Sequence, residues 1–304
     1  MQTKIGVSKG TAEAESGLVI ERRFTSVGQD PFDTFEWIEM DVEIRNPDGS
    51  MADSIEGVKL PSGFSGIPGK VCAQKYLRKA GVPKYLRNVP EEGVPVWLQR
   101  SEPDHERLQT LEAADRMGGE TDGRQLFRRL AGTWTYWGWK YGYFASEADA
   151  RAYFDEMCYL IASQRSAPNS PQWFNTGLHW AYGISGPPQG HTYVDPDTGK
   201  VELSTSAYER PQPHACFIQS VSDSLVGGTD SIMGLWNREA LLFKYGSGTG
   251  SNFSNIRGAG EPLSGGGTSS GLLSFLKIGD RAAGAIKSGG TTLSLIHISE
   301  PTRP

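Results

Sequence analysis

The sequence predicts an α/β fold, and three observations support this prediction. Short strand-like and helical stretches alternate in the second half of the chain, with glycine-rich turns between them. Two helical patterns come before them, between Asp122 and Gln164, with apolar residues at helical spacing. The proline-bearing run 167–171 then ends the helical part. We therefore place a domain boundary between residues 167 and 168.

Composition narrows the class of protein. The chain has 304 residues, of which 37% are hydrophobic and 21% charged, which is typical of a globular protein with its own core. Its net charge of -5 argues against a nucleic-acid partner bound through a broad basic face, but a single nucleotide needs only a few local donors. There is neither an apolar run of membrane-spanning length nor a secretion signal, so we expect a cytoplasmic protein with no membrane partner.

The three cysteines, Cys72, Cys158 and Cys216, lie far apart in the sequence. An odd and sparse set does not form a secreted disulfide framework, and no spacing typical of a metal site is present. Cys158 falls within a helical pattern and is interpreted as a small packed residue. We therefore predict no metal ligands.

The first third of the chain predicts few regular elements. Residues 1–30 are polar and are expected to be a loose or extended start. Val42–Ile44 alternates as a strand does, and the turn signal at 46–49 follows, so a small hairpin is expected. The stretch Val71–Ala80 predicts a short helix that ends before Gly81.

Two longer helices are predicted next. The first covers Asp122–Tyr143 and is rich in aromatic residues, which we expect to pack as a core because buried rings remove a large apolar area from water. The second covers Glu147–Gln164, with Ser146 as its N-cap. In the second half, the patterns predict a buried strand from Phe217 and an exposed loop at 183–198. They also predict helices at 233–243 and 271–285 and a further strand at 252–257.

Cys216 is the candidate for covalent chemistry. It lies where a polar, proline-bearing segment meets the predicted strand, so a ligand could reach its thiol. A packed, inert cysteine fits the spacing equally well. Residues i and i+2 of a strand share a face, so His214 would lower the pKa of this thiol if both were in the strand.

Three other segments have both a structural and a functional interpretation. Asp223 and Ser224 precede a predicted helix, so the aspartate is either a helix cap or an acceptor for a ribose hydroxyl. Gly246, Gly248 and Gly250 alternate, which puts them on one side of an extended segment where a sugar or ring can lie against the backbone. A packing contact explains them equally well. The run 287–292 is either a helix C-cap or a loop that contacts phosphate.

Taken in order, five segments closely resemble the adenosylcobalamin-dependent (class II) ribonucleotide reductases. They are 73–83 (AQKYLRKAGVP), 169–177 (NSPQWFNTG), 214–217 (HACF), 242–250 (LFKYGSGTG) and 279–292 (GDRAAGAIKSGGTT). The resemblance extends from about residue 30 to Thr292.

The resemblance implies a helical N-terminal domain followed by the first part of a ten-stranded α/β barrel. It gives a loose segment 1–30, an N-terminal domain 31–167 and the start of the catalytic barrel at 168–292. It implies reduction of ribonucleotides to 2'-deoxyribonucleotides for DNA synthesis, as in a ribonucleoside-diphosphate reductase. Adenosylcobalamin starts the reaction through a thiyl radical that removes the 3'-hydrogen, and two further thiols supply electrons by closing a disulfide. A thioredoxin-type reductant and a homodimer are the implied partners.

The resemblance also implies roles for individual residues. Cys216 matches the first reducing thiol. A deoxynucleoside triphosphate effector is expected to bind a different set of residues from the substrate. The substrate-binding residues are Ser170, Ala215, Gly246 and Gly248, and the effector-binding residues are Asp223, Ser224, Arg257, Lys287 and Ser288.

Residues 293–304 resemble the translation of a sequencing-adapter read-through and are expected not to be native sequence. The family's radical cysteine, second reducing thiol and C-terminal thiol pair have no match in the chain, so the chain alone is expected to be inactive. Two alternatives stay open, namely a deoxynucleotide-binding regulatory module and a large-subunit fragment of a di-iron-partnered (class I) reductase.

Overall fold

The computed structural model describes residues 17–45, 51–244, 247–286 and 295–298. The chain forms two compact units. The N-terminal unit comprises the residues up to Ala167 together with Gly177–Ile184, and the C-terminal unit comprises Pro168–Thr176 and the residues from Ser185 onward.

The described strands and helices follow one another along the chain. They are β1 (Trp37–Arg45), β2 (Met51–Pro61), α1 (Ile67–Val71), β3 (Val82–Pro83), β4 (Leu86–Asn88), β5 (Ser101–Pro103), α2 (His105–Leu108), β6 (Met117–Gly118), α3 (Gly123–Lys140), α4 (Glu147–Ala162), α5 (Ser170–Asn175), α6 (Leu178–Tyr182), β7 (Thr192–Val194), β8 (Val201–Leu203), β9 (Cys216–Gln219), α7 (Ile232–Lys244), β10 (Gly248–Asn252), α8 (Leu272–Ala285) and β11 (Leu295–Ile298).

The N-terminal unit combines small antiparallel sheets with helices. β1 and β2 form a hairpin whose inward residues, Val42, Val58 and Leu60, are fully buried. The predicted strand at Val42–Ile44 is thereby confirmed, while the predicted turn at 46–49 lies outside the described residues. Two short antiparallel pairs, β3–β6 and β4–β5, complete the strands described in this unit.

The helix predicted at Val71–Ala80 lies earlier in the chain. α1 begins at Ile67, with Pro68 in its first turn, and continues as a π-helical turn over Cys72–Tyr76. Proline suits the first turn because the N–H that it lacks would have no intrahelical partner there. Leu77 is already extended, which ends the helix before Ala80. The predicted range was therefore wrong at both ends.

The two long helices are confirmed, and so is the N-cap predicted at Ser146. Asp122 caps α3 by accepting a hydrogen bond from the Arg124 N–H at 2.8 Å, and the Gln125 side chain accepts from the Asp122 N–H in return. Ser146 caps α4 by accepting from the Asp149 N–H at 3.2 Å. Each cap satisfies a donor that the helix itself cannot.

The aromatic residues of α3 are not its core, contrary to the prediction. The fully buried face consists of Leu126, Phe127, Leu130 and Ala131, whereas the aromatic residues from Trp134 to Phe144 are half-buried or exposed. Leu126 and Phe127 belong to the first turns of the helix, before the aromatic run begins. The residues that face the core are thus set by helical spacing and not by ring size.

A buried ion pair ties separate segments of the N-terminal unit together. The Arg129 side chain is 1% exposed, and its Nε lies 2.7 Å from Oε1 of Glu120. The Tyr182 hydroxyl donates to the same oxygen at 2.7 Å, and the Arg78 N–H donates to Oε2 at 2.8 Å. The carboxylate therefore meets partners from α3, α6 and the segment after α1, as a buried charge requires.

The C-terminal unit contains a parallel sheet in the order β11–β10–β9. Helix α7 connects β9 to β10, and helix α8 lies between β10 and β11, as parallel neighbours require a crossover. The described strands form an open sheet and not a closed barrel. β11 falls within the tail that the sequence predicts to be non-native, and the origin of that tail remains a prediction.

Packing of the two helices forms the core of this unit. Val221, Ile232, Leu235, Trp236, Phe253 and Ile256 are buried together, and Leu272, Phe275 and Leu276 of α8 pack against them. Gly279 permits the close approach, since a Cβ there would lie 2.4 Å from the Trp236 ring. The helices predicted at 233–243 and 271–285 are confirmed within one residue at each end.

Three other predictions for this unit need correction. The loop predicted at 183–198 contains β7, which pairs with β8. The strand predicted at 252–257 lies earlier, because the Asn252 side chain accepts from the Ser254 N–H at 2.9 Å and forms a turn there. β9 is partly exposed and not buried, with Ile218 82% exposed.

Within the part of the chain that the structure describes, no helix has the length and apolar character to cross a bilayer.

The segment before β1, predicted to be loose, is bound to α4 over Ile20–Thr25. The Glu156 carboxylate accepts from the Thr25 N–H at 2.9 Å and the Thr25 hydroxyl at 2.6 Å, and the Phe24 N–H donates to it at 3.1 Å. Asp149 accepts from the Ile20 N–H at 2.9 Å. Carboxylates of one helix thus replace the strand partners that this extended segment lacks.

We expect this contact to weaken in acid. Burial raises the pKa of Glu156, but hydrogen bonds from Thr25 and the Phe24 N–H outweigh it, so the pKa lies below its usual value. A lowered folded-state pKa stabilises the bound segment at neutral pH, and this stabilisation is lost as pH falls through that pKa. Hydrogen exchange at pH 7 and below pH 4 should show selective loss of protection at Phe24 and Thr25.

The Glu156→Gln variant should show the same loss at pH 7, by about tenfold, because a neutral amide accepts these bonds less strongly. Glu147→Gln, on the same helix, is the matched control. Unchanged exchange at Phe24 and Thr25 in Glu156→Gln would contradict the assignment.

Candidate functional site

The candidate site lies on β9 and β10, which pair in parallel. Cys216 is in register with Gly248, and Ile218 is in register with Gly250. In-register residues of neighbouring strands project to the same side of the sheet. We call these four residues the thiol face. The Gly248 N–H donates to the Ala215 carbonyl at 2.6 Å, which brings two predicted substrate-binding residues next to the predicted reducing thiol.

The thiol face is exposed on β9 and buried on β10. Cys216 and Ile218 are both exposed, whereas Gly248 and Gly250 are buried. A reagent or ligand can therefore reach the sulfur, while the peptide groups of the two glycines are covered. The exposure supports the functional interpretation of Cys216, and the burial of the alternating glycines fits their interpretation as a packing contact. A buried cysteine, the structural alternative, is excluded for Cys216.

The opposite face of the two strands is polar and buried against α7. Thr249 and Glu239 are 1% and 2% exposed, and the Thr249 hydroxyl donates to Oε1 of Glu239 at 2.8 Å. On β9, Gln219 accepts from Nε of Arg238 at 2.7 Å. Sequence reasoning missed Arg238 and Glu239. The available signal was a pair of charged residues inside an otherwise apolar helical pattern.

His214 does not pair with the Cys216 thiol as predicted. Its Nδ1 lies 3.0 Å from Oε1 of Gln212, and its ring lies 6.2 Å from that of Phe217, which projects from the other face of β9. The i, i+2 rule fails here because β9 begins at Cys216, so His214 precedes the strand.

Asp223 and Arg257, both predicted to bind an effector, form an ion pair. Oδ2 of Asp223 lies 2.5 Å from Nε of Arg257, and Oδ1 accepts from the Arg257 N–H at 3.3 Å. The alternative of Asp223 as a cap of α7 is wrong, because Ser231 fills that role by accepting from the Gly234 N–H at 3.1 Å. The pair joins the loop after β9 to the loop after β10, and both side chains are more than a quarter exposed.

The other predicted residues are placed as follows. Ser224 follows Asp223, and its hydroxyl donates to the Val226 carbonyl at 2.6 Å. Ser170 is the first residue of α5 and is half-buried. Gly246, Lys287 and Ser288 lie outside the described residues. Among the residues that are described, no group of three or more His, Cys, Asp or Glu side chains could hold a metal ion.

Residues 39–164 match the family model described as class II vitamin B12-dependent ribonucleotide reductase, which is the N-terminal domain, and residues 214–292 match the ribonucleotide reductase barrel domain. The chain therefore belongs to the ribonucleotide reductases. Within them, it is a member of the class II, vitamin B12-dependent family, as the resemblance in the sequence indicated.

Similar curated proteins carry the same description, "Vitamin B12-dependent ribonucleotide reductase". The one from Agrobacterium fabrum is 64% identical over 273 residues, which cover 90% of this chain and 21% of that protein. The one from Bradyrhizobium diazoefficiens is 62% identical over 273 residues, covering 90% of this chain and 22% of the relative. A more distant one, from Rhodopirellula baltica, is 34% identical and covers 91% and 23%, respectively. The chain spans about a fifth of the length of these relatives.

The thiols should differ sharply in reactivity. Cys216 is exposed, whereas burial, and secondarily the charge of Glu120, raises the pKa of the Cys72 thiol to about 12. Burial likewise raises the pKa of Cys158 far above its usual value. Because the thiolate is the reactive form, only Cys216 should react with an aromatic disulfide reagent at pH 8 in the native chain.

Mass spectrometry after brief labelling should find one modified cysteine, and denaturation should release the other two. The Cys216→Ser variant should take up no label while it is folded. Labelling of Cys72 or Cys158 at a comparable native rate would contradict the burial of these thiols.

Proposed function

We propose that this chain supplies the effector-binding and first reducing elements of a class II ribonucleotide reductase. The observation that carries the proposal is the exposed Cys216 thiol in register with Gly248 on the thiol face. The N-terminal match with the class II family favours this assignment over the di-iron-partnered class. The proposed domains are 31–167 and 168–292, the second being the start of a ten-stranded barrel.

The proposed reaction replaces the 2'-hydroxyl of a ribonucleotide by hydrogen. The hydroxyl leaves as water, and two thiols lose two electrons and two protons as they join in a disulfide, so the exchange balances. Cys216 is one of these thiols. Cys72 and Cys158 are both buried within helical turns of the N-terminal unit, so the second thiol is assigned to neither. A thioredoxin-type protein would reduce the disulfide again.

The residues of the thiol face suit a nucleotide. Gly248, Ala215 and Ser170 are proposed to contact the sugar, and Cys216 presents its sulfur on the same side of the sheet as Gly248, which adds no side chain there. Adenosylcobalamin, the cofactor that the family name implies, supplies the radical that starts the reaction. Cys216, Ile218 and the two glycines are not a donor set suited to a corrin, so no step is assigned to that group here.

The Asp223–Arg257 pair is proposed as the centre of the effector site. Arginine binds phosphate oxygens through a planar set of donors, and a carboxylate accepts from a sugar hydroxyl. Ser224, Lys287 and Ser288 would complete the site for a deoxynucleoside triphosphate. Binding then exchanges the Asp223–Arg257 contact for contacts with the ligand. This pair also favours the second candidate function, a deoxynucleotide-binding module that acts without reduction.

A chimera tests the reductase proposal. Residues 31–292 replace the aligned segment of the Agrobacterium fabrum relative, and formation of deoxynucleotides from ribonucleoside di- and triphosphates is measured with adenosylcobalamin and a thioredoxin-type reductant. Cys216→Ser should lower multiple-turnover activity by about 100-fold or more, because a required electron donor is lost.

Cys158→Ala in the same chimera is the matched control and should retain activity. Full activity of the Cys216→Ser chimera would contradict the role of this thiol. An inactive but correctly folded parental chimera would contradict the reductase assignment of the chain.

Thermal unfolding of the 304-residue chain tests the effector site. A deoxynucleoside triphosphate at about 100 times its Kd should raise Tm by about 5 °C, since it binds only the folded state. Asp223→Asn and Arg257→Gln should each reduce this rise. Asn237→Ala, at an exposed position on α7 outside the proposed site, is the control. An equal rise in all variants would show that the ligand binds elsewhere.

A further inference from the structure

Helix α7 reaches both strands of the thiol face through two consecutive side chains. Arg238 donates from Nε to Oε1 of Gln219 at 2.7 Å and from Nη2 to the Ser220 carbonyl at 2.9 Å, at the end of β9. Glu239 accepts from the Thr249 hydroxyl at 2.8 Å, in the middle of β10. Neither residue belongs to the thiol face or to the predicted site residues.

The ladder between the two strands needs such support. It comprises four in-register pairs, and two of the four β10 positions are glycines. Glycine in a strand adds no side-chain packing and loses more backbone entropy on folding than other residues do. A slip by one residue would turn every side chain of β9 to the opposite face, including Cys216.

The bonds from α7 are of a kind that resists such a slip. Those of Arg238 are charge-assisted, and they hold the side chain and the carbonyl of successive residues of β9. The bond between Thr249 and Glu239 is fully buried, where loss of a partner is most costly. Since Arg238 and Glu239 are adjacent, one helix segment sets the position of both strands.

We propose that Arg238 and Glu239 are positioning residues that hold the Cys216 thiol in register with the glycine backbone of β10. Their role in turnover rests on the proposed function, whereas their effect on the strands does not. The same helix begins beside the effector loop, since the Ile232 N–H donates to the Ser224 carbonyl at 2.9 Å. The thiol and the proposed effector site are thus both anchored to α7.

The first test uses the 304-residue chain without nucleotide. Arg238→Met keeps the length of the side chain and removes its donors, and Thr249→Val removes the hydroxyl with little change in shape. Each should speed hydrogen exchange at the Gly248 N–H by about tenfold, because local opening becomes easier. The rate of Cys216 labelling should change with it, while exchange at Leu130 in the N-terminal unit stays the same.

Conservative variants separate positioning from general destabilisation. Gln219→Glu keeps an acceptor for Arg238 and should leave exchange at Gly248 as slow as in wild type, and Arg238→Lys should fall between wild type and Arg238→Met. Asn237→Ala, at an exposed position on α7, is the matched control and should change nothing. Unchanged Gly248 exchange in both Arg238→Met and Thr249→Val overturns the proposal, as does an equal increase across the whole chain.

The second test uses the chimera with the Agrobacterium fabrum relative. Arg238→Lys should lower kcat about tenfold with KM for the ribonucleotide nearly unchanged, because the thiol is displaced while the binding backbone remains. A rise in KM alone would overturn the positioning role. If the parental chimera is inactive, the reductase assignment fails, while exchange and labelling of the chain alone still decide whether α7 positions the strands.

Discussion

The parallel pairing of β9 with β10 is the constraint on which the candidate site depends. Parallel neighbours cannot be joined by a tight turn, so a crossover must cover one face of the sheet. Here α7 covers one face, which carries Phe217, Gln219, Thr249 and Ser251. The thiol face is the other side of the same two strands, where Cys216 and Ile218 are exposed and Gly248 and Gly250 are buried. The topology therefore places Cys216 on the face that α7 does not cover.

Glycine and charge have complementary roles in this arrangement. The glycines of β10 add no side chain beside the thiol but weaken the strand that carries them. The charged pair Arg238–Glu239 offsets this weakness from the face that α7 covers. The proposed site thus separates the groups assigned to a ligand from the groups that hold the strands in place.

In the N-terminal unit, buried charges likewise hold separate segments of the chain together. Glu120 and Arg129 join α3, α6 and the segment after α1, and removal of either partner from such a pair typically costs about 3–5 kcal/mol because the other charge is left buried. The buried Glu156 carboxylate of α4 holds the segment before β1 through hydrogen bonds from Phe24 and Thr25. Both contacts join residues that are distant in the sequence, so neither leaves a local pattern from which it could be predicted.

The sequence by itself determined the family, the long helices with the N-cap of the second, and the identity of the candidate thiol. These follow from local signals, such as Ser146 before apolar periodicity, and from motifs read in order. Only the tertiary structure decided that Cys216 is exposed while Cys72 is buried, that Asp223 meets Arg257 and not a helix N-terminus, and that His214 turns away from the thiol. The sequence placed an extended segment at the alternating glycines but put the strand at 252–257, because glycines have low strand propensity and form the strand at 248–252 only between parallel neighbours. Burial and pairing depend on which distant segments meet, and local residue patterns do not specify that.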